Sequence, residues 1–127
     1  MAHLGWVLAG GALGTFLRLL LMEAVDALHG SAFPWGTWTV NLLGSFGFGL
    51  CFAWAEGRWD LDGPARAAVF VGFLGAFTTF STLAFQTVAL GERGAWLAAA
   101  ANLLGQNLLG LAAVLSGLAL GRVFPGD

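Results

Sequence analysis

The chain has 127 residues, 58% of them hydrophobic and only 9% charged, with a formal net charge of −2. A soluble domain carries roughly a quarter charged residues, so lipid rather than water is the solvent implied for most of its surface. The five basic residues are all arginines (Arg18, Arg58, Arg66, Arg93 and Arg122) and form no basic patch, which excludes a nucleic-acid partner.

In chain order, four apolar segments fall at residues 4–28, 36–56, 65–90 and 95–121. Each reaches the roughly 20 residues that a helix needs to cross a bilayer. The breaks between them, HGSAFPWG, EGRWDLDGPAR and GERGA, bring Gly, Pro and charge where helices should stop. The opening stretch MAHLGWVLAGG carries no charged leader and reads as the start of the first span rather than a removable signal. Trp35, Trp38, Trp54, Trp59 and Trp96 stand at or near segment ends, where an indole prefers the headgroup region. The whole chain reads as one membrane domain with no internal duplication. Cys51, the single cysteine, sits among apolar neighbours and reads as packing, with no disulfide or cysteine-ligated metal.

An even number of spans puts both termini on the side of the Glu56–Arg66 loop. That side carries Arg58, Arg66 and Arg122 against Arg93 opposite, a bias too small to fix orientation, so insertion both ways is permitted. Gly10 and Gly14, Ser45 and Gly49, and Ala113, Gly117 and Gly121 repeat at four-residue spacing, the device that lets membrane helices approach closely. Four helices of this size enclose little, so an oligomer is expected.

Polar side chains inside the spans need partners or a wet path. Asn41 offers an amide donor and a carbonyl, suited either to an interhelical hydrogen bond or to a pathway. Thr79, Thr82 and Gln86 fall at i, i+3 and i+7 and would form one stripe on a helix; Asn102 and Gln106 form a second at i, i+4. Facing stripes of uncharged groups would suit an ion that must lose water without being trapped by a full charge. Thr78 and its neighbours could instead bond back to the preceding turn. Gly72 and Gly75 weaken the third segment, and a break there would expose carbonyls fit for a small hard cation. Phe77 and Phe80 stand beside the hydroxyls with ring edges that are electropositive. Arg18 lies deep enough in the first span to need a partner or an aqueous vestibule, whereas Glu23 and Asp26 lie near its end and are poorly placed to carry protons. No soluble-enzyme constellation is present.

Three stretches, GGALGTFLR (Gly10 to Arg18), GTWTVNLLGSFGFG (Gly36 to Gly49) and GFLGAFTTFST (Gly72 to Thr82), resemble in order and spacing the signatures of the Fluc/CrcB fluoride channels. The resemblance covers nearly the whole chain. It implies an all-α integral membrane protein with four transmembrane helices per subunit, the third helix broken near its middle, assembled as an antiparallel dual-topology dimer in the plasma (inner) membrane. It implies a passive, fluoride-selective channel, not an enzyme: hydrogen fluoride enters through lipid, ionises in the more alkaline cytoplasm, and the trapped anion leaves through the channel. Asn41, Phe80, Ser81 and Thr82 match pathway residues, and Thr79, Gln86 and Asn102 are carried with them as pathway candidates. Arg18 matches a vestibule residue. The carbonyls of Gly75 and Thr78 match those that hold a structural sodium ion at the dimer centre. The chain departs from the pattern at Leu83, where a second phenylalanine is usual, and at Gln86, where an acid is usual. Phe85 could replace that ring only on a rotated helix, since two positions turn a helix by about 200°. The role of Gln106 is left open. The competing readings are a small proton-coupled multidrug exporter, which requires a deep carboxylate, and a degenerate subunit that needs a partner chain.

Overall fold

The computed structural model describes residues 3–60 and 62–124. Four helices are long and apolar enough to cross a membrane: α1 (Leu4–His29), α2 (Trp35–Ala55), α3 (Pro64–Glu92) and α4 (Trp96–Arg122). The protein is therefore a multi-pass membrane protein.

The ends follow from local chemistry. After His29, Gly30 turns to φ 78° and its N–H bonds Asp26 O at 2.8 Å, which closes α1 with a left-handed residue. Asp26 then serves the next helix as well: its Oδ1 accepts the Gly36 N–H at 2.8 Å, satisfying an orphan donor of α2 and placing negative charge at the positive end of that helix. Pro64 begins α3 at the position where a missing N–H costs nothing.

The helices pair in two tight couples. α2 packs most extensively on α4, and α1 on the first half of α3. Backbone contact replaces side-chain packing in both. A Cβ on Gly49 would strike Val114 O and one on Gly117 would strike Phe46 O, so α2 and α4 present reciprocal glycines to each other's carbonyls; Gly10 and Gly14 bring α1 against Ala68 O and Phe73 O in the same way. In lipid no hydrophobic drive holds such pairs, and close van der Waals approach takes its place.

Neither α3 nor α4 is uniform. Residues Ala67–Leu74 and Ala101–Gly105 take wide i→i+5 turns, a form that concentrates at functional sites. In α3 the helical turn Gly75–Phe77 is followed by extended torsions at Thr78 (φ −89°, ψ 157°) and Thr79 (φ −148°, ψ 110°), and helix resumes over Phe80–Glu92. Gly44 of α2 makes room for this stretch, because a Cβ there would run into Thr78 Cγ2.

Candidate functional site

The extended residues of α3 are held by side chains. In an uninterrupted helix the Thr79 N–H would donate to Gly75 O and the Thr82 N–H to Thr78 O. Here Asn41 Oδ1 accepts the Thr79 N–H at 2.8 Å, and Thr79 Oγ1 accepts the Thr82 N–H at 3.3 Å as an N-cap. The carbonyls of Gly75 and Thr78 thus both lose their ordinary helical donors, and each is free to accept elsewhere.

Asn41 is bonded on every polar hydrogen. Its Nδ2 donates to Thr79 O at 3.2 Å and to Gln106 Oε1 at 2.7 Å. Gln106 Nε2 donates in turn to Asn102 Oδ1 at 2.7 Å, and the Trp38 indole N–H donates to the same oxygen at 3.0 Å. Asn102 Nδ2 reaches Thr87 Oγ1 at 2.9 Å and Leu83 O at 3.4 Å. A ladder of neutral amides therefore crosses the subunit from α2 through α4 to the second half of α3 and its cap, Thr79. Buried polar groups are expensive in a low-dielectric interior unless each is paired, and paired they fix a single arrangement.

One flank of the ladder opens into a cleft of about 280 Å³ lined by Asn41, Thr79, Phe80, Leu83 and Gln106, with Thr78 and Ser45 beside them. Phe80 is 72% exposed and Ser81 is exposed next to it, so both lie at the surface of the subunit. Thr82 is half-buried and its Oγ1 lies 2.9 Å from Thr79 Oγ1.

The site residues expected from sequence do not all meet in one place. Asn41, Thr78, Thr79 and Phe80 meet in this cleft, with Ser81 and Thr82 adjoining in sequence. Asn102 is fully buried behind it and does not line it. Gln86 lies in a second cleft of about 220 Å³ with Asp26, Phe33, Phe85 and Arg93, where its buried Oε1 has no hydrogen-bond partner among the described residues. Phe85 is there too, 75% exposed, and so shares no cleft with Phe80. Arg18 is half-buried on α1, and Gly75 is exposed in an open apolar groove between α1 and α3 that also includes Thr15 and Val71.

Two features depart from the sequence reading. The stripes do not face each other as helix faces: Thr79 stands outside the helix as its cap, and Asn102 and Gln106 bond to one another, joined to Thr79 only through Asn41. Trp38, placed at the headgroups by position, donates its N–H inward. The signal lay in Gly105, where a Cβ would come within 2.5 Å of the Trp38 ring: a glycine opposite an indole three residues before Asn41 opens its way to α4. Thr78, by contrast, does bond back to the preceding turn, its hydroxyl donating to Leu74 O at 3.1 Å.

The family model described as "CrcB-like protein, Camphor Resistance (CrcB)" matches residues 5–118. The chain belongs to this family. Among curated CrcB relatives it is 47% identical over 120 residues to a Nitrosococcus oceani protein, covering 94% of this chain and 96% of that one. It is 46% identical over 121 residues to one from Magnetococcus marinus (95% and 98%) and 48% identical over 123 residues to one from Solidesulfovibrio magneticus (97% and 98%). Each of these relatives bears the name "Fluoride-specific ion channel FluC". The CrcB match includes the ladder, the extended stretch of α3 and the cleft, all of which lie within residues 5–118.

Proposed function

We propose that the protein is a passive, fluoride-selective channel of the plasma membrane that lets cytoplasmic fluoride leave down its gradient. The observation that carries this reading is the cleft itself, in which the ring of Phe80 and the hydroxyl-bearing Ser45, Thr78 and Thr79 stand beside the neutral amides of Asn41, Gln106 and Asn107, with no carboxylate in the lining. A small, strongly hydrated anion needs donors to replace its water, and donors without full charge let it enter and leave again. The named activity of the curated relatives agrees.

In this reading α3 is a broken helix and the working unit is an antiparallel homodimer. A second copy would cover the open groove along α1 and α3 and the exposed faces of Gly75 and Phe80, and the weak arginine bias suits insertion both ways. The Gly75 and Thr78 carbonyls, relieved of their helical donors, fit a sodium ion at the centre, since main-chain oxygens are hard ligands. Such an ion would supply fixed positive charge that ties the two breaks together. The path would run from a vestibule at Arg18 along Phe80, Ser81, Thr82 and Thr79, with Asn41 in its wall. Asn102 would support that wall from behind, and Gln86 would line a separate outlet near Arg93.

Purified protein in liposomes loaded with fluoride should release fluoride and retain chloride; equal efflux of both, or of neither, overturns the proposal. Robust flux from this chain alone would also dispose of the partner-dependent subunit. A proton-coupled exporter needs a carboxylate deep in the bundle, whereas Glu23 and Asp26 stand near the end of α1 and Gln86 cannot ionise.

A further inference from the structure

The hydrogen-bonding roles in the amide ladder are forced from both ends. An indole N–H can only donate, so the Asn102 atom 3.0 Å from Trp38 Nε1 is its carbonyl oxygen; a main-chain oxygen can only accept, so the atom facing Leu83 O is Asn102 Nδ2. At the other end the Thr79 N–H fixes Asn41 Oδ1, and the Thr79 carbonyl fixes Asn41 Nδ2. Gln106 lies between the two and has no choice: its Nε2 faces Asn102 Oδ1 and its Oε1 faces Asn41 Nδ2, each at 2.7 Å.

The hydrogens can then be counted. Asn41 spends both of its amide hydrogens, on Thr79 O and Gln106 Oε1. Asn102 spends both, on Thr87 Oγ1 and Leu83 O, and Trp38 spends its one. Gln106 Nε2 carries two and gives one, to Asn102. Gln106 is only 4% exposed yet lines the cleft beside Phe80, so its remaining hydrogen is withdrawn from bulk solvent and has no acceptor among the described residues.

We infer that this second Nε2 hydrogen of Gln106 is the amide donor to the permeating fluoride, and that Asn41 is a positioning residue, a clip for Thr79 whose own hydrogens never reach the ion. The inference rests on the fluoride-channel reading and deepens it. Orientation is what makes the donor useful: with its carbonyl held by Asn41 and one hydrogen held by Asn102, Gln106 cannot turn its oxygen toward the anion.

Gln106→Glu separates this hydrogen from the rest of the ladder. A protonated carboxyl can still accept from Asn41 and donate to Asn102, but it has no further hydrogen, and an ionised one repels the anion. The variant should assemble and melt as the wild type does while fluoride efflux from liposomes falls by about tenfold or more, the loss of one hydrogen bond to a charged group. In the ¹⁵N-labelled wild-type full chain in lipid nanodiscs, titration with sodium fluoride should move one Gln106 side-chain amide proton and neither of Asn41, and sodium chloride should move none. Wild-type flux in the folded Gln106→Glu protein, or shifts at Asn41 without shifts at Gln106, would overturn the inference. If the variant does not fold, the titration alone decides. Absence of flux from the wild type would instead overturn the channel reading.

Discussion

One side chain, Asn41, closes both polar atoms of one peptide unit pair: its Oδ1 accepts the Thr79 N–H at 2.8 Å and its Nδ2 donates to the Thr79 carbonyl at 3.2 Å. An amide on α2 thus imitates the strand partner that an extended residue in α3 would otherwise lack. Polar contacts between membrane helices average only about 0.6 kcal/mol, but here the partner is main chain at a helix interruption, and each buried group left unpaired costs about 1–3 kcal/mol. Asn41→Ala leaves two such groups. It should lower the unfolding free energy by at least about 2 kcal/mol and abolish fluoride flux. It should also weaken any stabilisation by sodium over N-methylglucamine, because the clip that holds Thr79 extended beside the Gly75 and Thr78 carbonyls is gone. Thermal unfolding in the two salts is the measurement, and a variant that keeps the wild-type midpoint and sodium response would refute the role given to Asn41.

Gly105 controls the far end of the same ladder. A Cβ there would lie 2.5 Å from Trp38 Cη2 and 2.6 Å from Cζ2, so the ring must move and its N–H must leave Asn102. Alanine gains about 0.5–1 kcal/mol of helix propensity over glycine, yet overpacking costs about 1–3 kcal/mol, and a hydrogen bond of about 1 kcal/mol goes with it. Gly105→Ala should therefore destabilise, and so should Trp38→Phe, which deletes the N–H together with part of the ring packed on Gly105. Denaturant unfolding of the two variants is the measurement, and wild-type stability in both would show that the indole is not anchored by Asn102.

Glycines at helix contacts and glycines facing open space should respond with opposite sign. At Gly117 an added methyl group meets Phe46 O, main chain that cannot swing aside, whereas at Gly5 nothing lies within 4 Å. Gly117→Ala should cost about 1–3 kcal/mol, and Gly5→Ala should be neutral or stabilise by up to about 1 kcal/mol. Equal effects on thermal unfolding would mean that α2 and α4 are not in backbone contact.

The four spans were legible because twenty-residue apolar runs have no alternative use, and their ends differ by only one or two residues from those read in the sequence, since capping groups such as Asp26 and Gly30 decide the last turn. The cleft was partly legible: hydroxyls and amides crowded into lipid had to meet something. Their partners were not legible. The i, i+3, i+7 pattern presumes an unbroken helix, and Thr79 left the helix to cap its second half. The pattern of Asn102 and Gln106 correctly put them on one face, but hydrogen-bond direction along a chain of amides depends on the groups that pin its ends. Trp38 and Leu83 O are separated from Asn102 by 64 and 19 residues and leave no periodic trace.

Leu83 is one of the two positions, with Gln86, at which the sequence departs from the pattern it resembles, and the fold gives it a definite place. It is 4% exposed, it lines the cleft with Phe80, and its carbonyl receives both the Thr87 hydroxyl at 2.8 Å and the Asn102 amide. Phe85 cannot stand in for a ring at this position, since it opens onto the other cleft. In a closed core the larger side chain of Leu83→Phe would cost about 1–3 kcal/mol, but about 280 Å³ of cleft adjoins this one, so the ring has somewhere to go. The variant should fold with little loss of stability and set a second electropositive edge beside Phe80, changing the fluoride flux, whereas Phe85→Leu should leave flux through this cleft as it is. Efflux from liposomes, normalised to the amount of folded protein, compares them. Unchanged flux in a stable Leu83→Phe protein, together with a large loss in Phe85→Leu, would move the pathway out of the first cleft and into the second.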